Sequence, residues 1–224
     1  MLRCRMILTD ISAEDLPEVI ERFAALLEPS ARAVFRRIAD PAKAARAEGA
    51  EAEHHHAIAC ELARDFGMKL VPGSPALDYA WTGTALRRDT EAYVLLHEVA
   101  HYQLAPPERQ HAIDFGLGAG PETGDRDGAE RAATVFGLER EKEEAMASLL
   151  GVLWETELGQ PGFASFIDQN WLEGADRPGA AQHFTTMLKA LQQRGLVDED
   201  GRPRRGAVTA AFTSARQHAT PRRD

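Results

Sequence analysis

The pentapeptide His97-Glu98-Val99-Ala100-His101, set inside the apolar run Leu95 to Tyr102, constrains this chain more than any other feature. On a helix, residues i and i+4 share a face, so the two imidazoles project together and can take one metal ion, with Glu98 beside them. Tyr93, Val94, Leu96, Val99 and Ala100 supply a buried side, and Thr90 with Glu91 is the expected cap. Two neutral imidazoles give nitrogen ligands, a later carboxylate or histidine gives a third, and the remaining positions stay open for water or substrate. With zinc, Glu98 is placed to take a proton from the bound water. With iron, two histidines and one carboxylate form the facial triad of oxygen-activating enzymes.

The third ligand is expected from the helix-forming stretch Glu139 to Gly151. Glu141, Glu144, Ala145, Ser148 and Gly151 fall on one side of it at i, i+3, i+4 and i+7 spacing, and the small residues there allow a close approach to the metal helix. Glu144 is the first choice, because Ala147 and Ser148 leave room one turn on. Glu141 is the reserve and Asp114 a third candidate. Pro107 stands six residues beyond His101, where metzincins place their third ligand, which excludes that subclass. His111 fits no familiar ligand spacing and reads as a loop residue.

The surrounding chain reads as mainly helical. Leu16, Val19, Ile20, Phe23, Leu26 and Leu27 recur at helical spacing after Ser12 to Asp15, and Pro29 stops that run before a second one through Val34, Phe35 and Ile38. Ala42 to Ala52 is an exposed helix or a connector. His54, His55 and His56 point in different directions around a helix through Ile58, Leu62 and Phe66, and are read as solvent-facing, with one able to line the mouth of the site. Gly67 ends that helix, Met68 to Val71 reads as a strand closed by Pro72-Gly73, and Trp81 to Thr84 as a second edge or a loop. The segment from Glu108 to Gly128 is expected as loop. Leu149 to Leu158 continue an apolar helix, with further helices around Phe163 to Leu172 and Phe184 to Leu191. A turn follows at Asp198 to Pro203, then a run from Ala207 to His218 and a basic tail.

The expected fold is therefore α+β, mainly helical, with a small sheet beside the metal helix. Residues 1–224 form one catalytic domain, within which 1–50 are a helical extension and 197–224 a tail, both peripheral. A net charge of −9 argues against a nucleic-acid or anionic-membrane partner. No segment has the length of apolar chain needed to cross a bilayer. Cys4 and Cys60 form no redox or metal motif, which fits a reducing cytoplasm. The spacing says nothing about oligomeric state.

A longer pattern extends the metal motif. His97-Glu98-x-x-His101-Tyr102-x-x-Ala105, then Arg109, then Asp114-Phe115-Gly116, resembles the elongation factor P hydroxylase family, in which an aromatic residue follows the second histidine and an arginine precedes an Asp-Phe-Gly. The resemblance covers this central stretch and, more loosely, the acidic helix after it. It implies a zincin-like, non-haem iron mono-oxygenase acting on a modified lysine of a protein substrate, a translation factor, with Tyr102, Arg109 and Asp114 shaping the substrate pocket. A local ion pair of Arg109 and Asp114 that fixes the loop is the alternative for those two. The family continues with aromatic residues and a Pro-Asp-Gly-Arg turn, where this chain has Leu117 to Gly124. A zinc metallopeptidase is the other enzymatic reading, favoured by Glu98 and the downstream glutamate helix. A metal-stabilised binding protein without turnover is the third.

Overall fold

The computed structural model describes residues 11–73, 79–120 and 123–206. In chain order its helices are α1 (Leu16–Leu26), α2 (Pro29–Ile38), α3 (Gly49–Asp65), α4 (Ala92–Leu104), α5 (Arg126–Ala132), α6 (Gly137–Glu157), α7 (Gly162–Asp168) and α8 (Pro178–Gln193), and its strands are β1 (Leu70–Val71) and β2 (Leu86–Arg87). Short 3-10 turns lie at Pro41–Lys43 and Ile113–Gly116. The protein is thus mainly helical with a small sheet.

Helix α4 is almost wholly apolar on three sides, with Leu95, Leu96, Val99 and Ala100 fully buried, so it must be enclosed. Helix α6 covers one flank through Ala147, Leu150, Gly151 and Trp154, and α3 covers another through Ala59, Leu62 and Ala63. Gln103 accepts from the Trp154 indole Nε1 at 2.7 Å, so the one buried amide on α4 is matched to the one buried ring nitrogen opposite it.

The first helices are not peripheral. Phe23 of α1 and Phe35 of α2 are fully buried and meet Phe166 of α7 and Phe184 of α8 in one aromatic group, with ring centroids 4.8 to 6.2 Å apart. Centroid spacings of that order suit tilted and edge-to-face pairs. Pro29 separates α1 from α2 as expected, and it also starts α2, where its fixed φ fits and its missing N–H costs nothing. At the other end Leu196 and Val197 are buried, and a tight turn brings Asp198 N–H onto the Arg202 carbonyl at 3.0 Å. The run from Ala207 onward, and Cys4, lie outside the described residues.

The alanine-rich stretch Ala42 to Ala52 is not one helix. Asp40 caps the 3-10 turn by accepting from Ala42 N–H at 3.0 Å, residues 44–48 are irregular, and Glu48 is extended before α3 begins. Arg46 in this break reaches Ser165 at 2.6 Å and Asp168 at 3.0 Å, and its guanidinium lies 3.8 Å from the Tyr93 ring centre, interactions that outweigh the helix propensity of the alanines. Helix α3 ends as the glycine at 67 requires. Gly67 has φ +80°, and Met68 N–H reaches back to the Ala63 carbonyl at 3.0 Å in a Schellman arrangement.

Strands β1 and β2 are parallel, with Leu70 opposite Leu86 and Val71 opposite Arg87. The second edge therefore lies at Leu86–Arg87, and Trp81 to Ala85 form the turn beside it, Thr82 N–H bonding to the Ala85 carbonyl. Within the expected loop from Glu108 to Gly128, Asp125 caps α5 by accepting from Gly128 N–H at 2.8 Å. Among the described residues no helix is long and apolar enough to cross a membrane.

Candidate metal centre

Two helices build the centre. Helix α4 carries His97 and His101 one turn apart, and N-terminal Glu91 starts it without a side-chain cap, so Thr90 is not the cap. Helix α6 packs against the histidine face at Gly151, and Glu144, two turns back from Gly151 on the same side, arrives opposite the imidazoles.

The ligand atoms converge. His101 Nε2 lies 3.0 Å from His97 Nε2, and Glu144 Oε2 lies 3.4 Å from His101 Nε2 and 3.7 Å from His97 Nε2. Ligands about 2.1 Å from one metal and roughly 90–110° apart stand roughly 3.0–3.4 Å from each other, so these three atoms can hold a metal ion with little movement. The rings are perpendicular, at 89°, with centroids 4.5 Å apart. His101 is buried, whereas the His97 and Glu144 side chains are 27% and 42% exposed, so the centre opens to solvent on one side.

The charges favour a cation there. Burial disfavours protonation of His101, yet the carboxylate of Glu144, with Glu98 and Glu143 behind it, outweighs burial and pushes the imidazole up to about 9. Burial and the neighbouring His101 charge push His97 down, against the pull of Glu144. Burial alone would raise Glu144, but the two imidazoles hold its carboxyl well below the usual carboxylate range. A carboxylate facing two imidazoles in this way favours a bound cation, and a divalent metal there would displace the proton of His101.

The other expected residues fall around this cluster. Glu98 is half-buried on α4, about 100° around the helix from His97. Glu141 is exposed and outside the ligand group. Asp114 lies outside the ligand group: its Oδ1 accepts from Trp81 N–H at 3.2 Å and its Oδ2 from Thr123 Oγ1 at 2.8 Å. Burial pushes its pKa up in spite of those bonds. Arg109 does not pair with Asp114. Its Nη2 donates to Glu143 Oε2 at 2.6 Å and its Nη1 to the Phe115 carbonyl at 3.0 Å. Tyr102 is half-buried and packs edge-on to Trp81 at 5.8 Å. His111 is exposed, as expected.

The histidine triplet is split by burial. His54 is exposed, His55 is buried with its pKa pushed down by that burial, and His56 Nε2 meets the Arg88 carbonyl at 2.6 Å. None of the three joins the metal group. Cys60 is buried, and burial pushes its thiol up, so it is no nucleophile.

Three more residues lie near the ligands, of which the sequence marked only Phe115, within its Asp-Phe-Gly motif. Phe115 stacks on the His101 ring at 5.7 Å, Trp81 stacks on Phe115 at 5.5 Å, and Glu143 carries Arg109. Only the Asp-Phe-Gly motif pointed toward this group. No family model, curated protein or solved structure matches the chain.

Proposed function

We propose that this chain is a cytoplasmic metalloenzyme of zincin-like architecture that hydroxylates a modified lysine on a protein substrate, a translation factor, using one iron ion. The observation that carries the reading is the convergence of His97, His101 and Glu144, two nitrogens and one carboxylate on two packed helices with an open side. That donor set suits iron in an oxygen-activating centre. Further support comes from where the residues of the longer motif lie. Phe115 stacks on His101, and Arg109 ties Phe115 to Glu143, the neighbour of Glu144.

Iron, when held by these three residues, would supply dioxygen activation, one oxygen atom entering the lysine side chain and the other leaving as water with two electrons from an external reductant. The chain's own part is to fix the ligands through the buried α4–α6 contact, to leave the exposed edges of His97 and Glu144 facing the substrate, and to keep Glu98 near the centre as a carboxylate able to hold a proton. Zinc metallopeptidase activity is the second reading, and Glu98 next to His97 is what favours it. With zinc, Glu98 would take the proton from the attacking water.

The two readings separate in one comparison. Iron-loaded protein is incubated in air, with ascorbate as the two-electron reductant, with a translation factor bearing the modified lysine, and zinc-loaded protein with a mixed peptide library, each beside its Glu98→Gln variant. Gain of one oxygen atom by the protein substrate supports the hydroxylase. Peptide cleavage lost in Glu98→Gln moves the assignment to hydrolysis. Neither product would overturn both.

A further inference from the structure

Among the described residues, two buried polar atoms at the metal ligands have no hydrogen-bond partner: His101 Nδ1 and Glu143 Oε1. Buried donors and acceptors are nearly always satisfied, so two such atoms in one neighbourhood call for a physical account. His101 turns Nε2 toward His97 and Glu144, which sends Nδ1 to the far side of the ring. In an imidazole that gives its Nε2 lone pair to a metal, Nδ1 carries the hydrogen and needs an acceptor.

Glu143 meets that need. Its side chain is only 11% exposed, and it stands beside Glu144, whose carboxylate lies 3.4 Å from His101 Nε2. Arg109 occupies Oε2 at 2.6 Å and leaves Oε1 open. The same guanidinium binds the carbonyl of Phe115, whose ring stacks on His101 at 5.7 Å. One arginine therefore fixes both the carboxylate and the aromatic wall of this histidine.

We infer that Glu143, clamped by Arg109, is the positioning residue for His101: its Oε1 accepts the Nδ1–H of the metal-binding imidazole through one buried water. The inference rests on the metal reading above, and it assigns Arg109 a role in ordering a ligand in place of substrate contact. Partners of this kind fix the tautomer and ring orientation, and their loss typically weakens metal binding roughly 10- to 100-fold.

The test uses the full chain, zinc as a diamagnetic probe and histidines labelled with nitrogen-15. Zinc affinity is measured by chelator competition for the native protein, Glu143→Gln and, as a surface control, His111→Ala. The His101 Nδ1–H signal is followed in the zinc-loaded form. In Glu143→Gln, Arg109 takes the amide carbonyl and the NH2 group then faces the bridging water, whose hydrogen loses its acceptor. The expected result is a slowly exchanging Nδ1–H in the native protein, shifted or lost in Glu143→Gln, with zinc held roughly 10- to 100-fold more weakly and His111→Ala unchanged. Native-like affinity and an unmoved His101 signal in Glu143→Gln would overturn the inference while leaving the metal reading intact. A native protein that takes up no zinc would overturn both. Should Glu143→Gln not fold, the native signal decides alone: slow exchange supports the assignment and rapid exchange with water overturns it.

Discussion

Gly151 of α6 lies directly against His97 of α4: a Cβ built at 151 would stand 3.4 Å from the His97 Cα and 3.5 Å from its backbone nitrogen. That separation is ordinary contact for a single methyl group and too close for anything larger. Gly151→Ala should fold and bind metal normally, with stability within about 1 kcal/mol of the native protein, since alanine is the better helix former. Gly151→Val must push the helices apart at the ligand histidine and should cost about 1–3 kcal/mol, with weakened metal binding. Urea unfolding and chelator competition on both variants check this, and equal behaviour of the two would contradict it.

Metal and protons compete for the same cluster. With His101 raised to about 9, the metal must displace a proton throughout the neutral range, so affinity should rise roughly tenfold per pH unit up to about 9 and level off above it. The metal-free protein should show the opposite trend. The His101 contribution to stability is complete below the unfolded value of 6.5 and is lost as pH climbs through about 9. Competition binding and thermal unfolding over that range test the two signs together.

Glu155, at the far end of α6, is only 2% exposed. It accepts from the Ser165 hydroxyl and faces Arg46 at 3.4 Å, while Arg46 is held more closely by Asp168. Burial pushes its pKa up to about 7, against Arg46 and Ser165 and with help from Asp168. The folded state keeps a proton that the unfolded chain releases near 4.5, so this residue favours folding at low pH and that contribution is lost as pH rises through about 7. Glu155→Gln retains the acceptor for Ser165 without the titration. Its stability relative to native should improve by about 1–3 kcal/mol between pH 4.5 and 7, measured by denaturant unfolding at each pH. A difference that is flat across that window would contradict the assignment.

Asp114 separates a structural role from a ligand role. It sits at φ 41°, ψ 41° in the left-handed region, followed by Phe115 at φ 55°, and its carboxylate receives two buried hydrogen bonds. Asp114→Ala removes both acceptors at a backbone position that alanine resists, which should cost about 2–3 kcal/mol. Asparagine tolerates that conformation and keeps one acceptor, so Asp114→Asn should lose about 1 kcal/mol and bind one metal ion per chain as the native protein does. Thermal unfolding and metal titration of both variants decide it, and loss of the metal in Asp114→Asn would restore Asp114 as a ligand.

The parts legible in the sequence were those written in helical periodicity. His97 and His101 share a face because their spacing is one turn, and Glu144 joins them because Gly151, two turns along the same face, permits contact with the His97 backbone. What could not be read depends on contacts distant in the chain. The break at residues 44–48 exists because Arg46 finds Ser165 and Asp168, more than a hundred residues away. The true partner of Arg109 is Glu143, which no local pattern distinguishes from the charges at Glu141 and Lys142 around it. Asp114 stood as a third ligand candidate, after Glu144 and Glu141, because it is an acidic residue near a metal motif. Its left-handed backbone and its bonds to Trp81 and Thr123 carry no signature in composition or spacing. The first fifty residues read as an extension because they hold no chemistry, and burial of Phe23 and Phe35 against α7 and α8 is visible only once those helices are packed.

The most direct test of the account is metal content by elemental analysis, on protein purified without added metal, for the native chain, His101→Ala, Glu144→Ala and Glu141→Ala. One metal ion per chain is expected in the native protein and in Glu141→Ala, with loss of it in His101→Ala and Glu144→Ala. Metal retained in full by Glu144→Ala, or absent from the native protein even after reconstitution with iron or zinc, would contradict it.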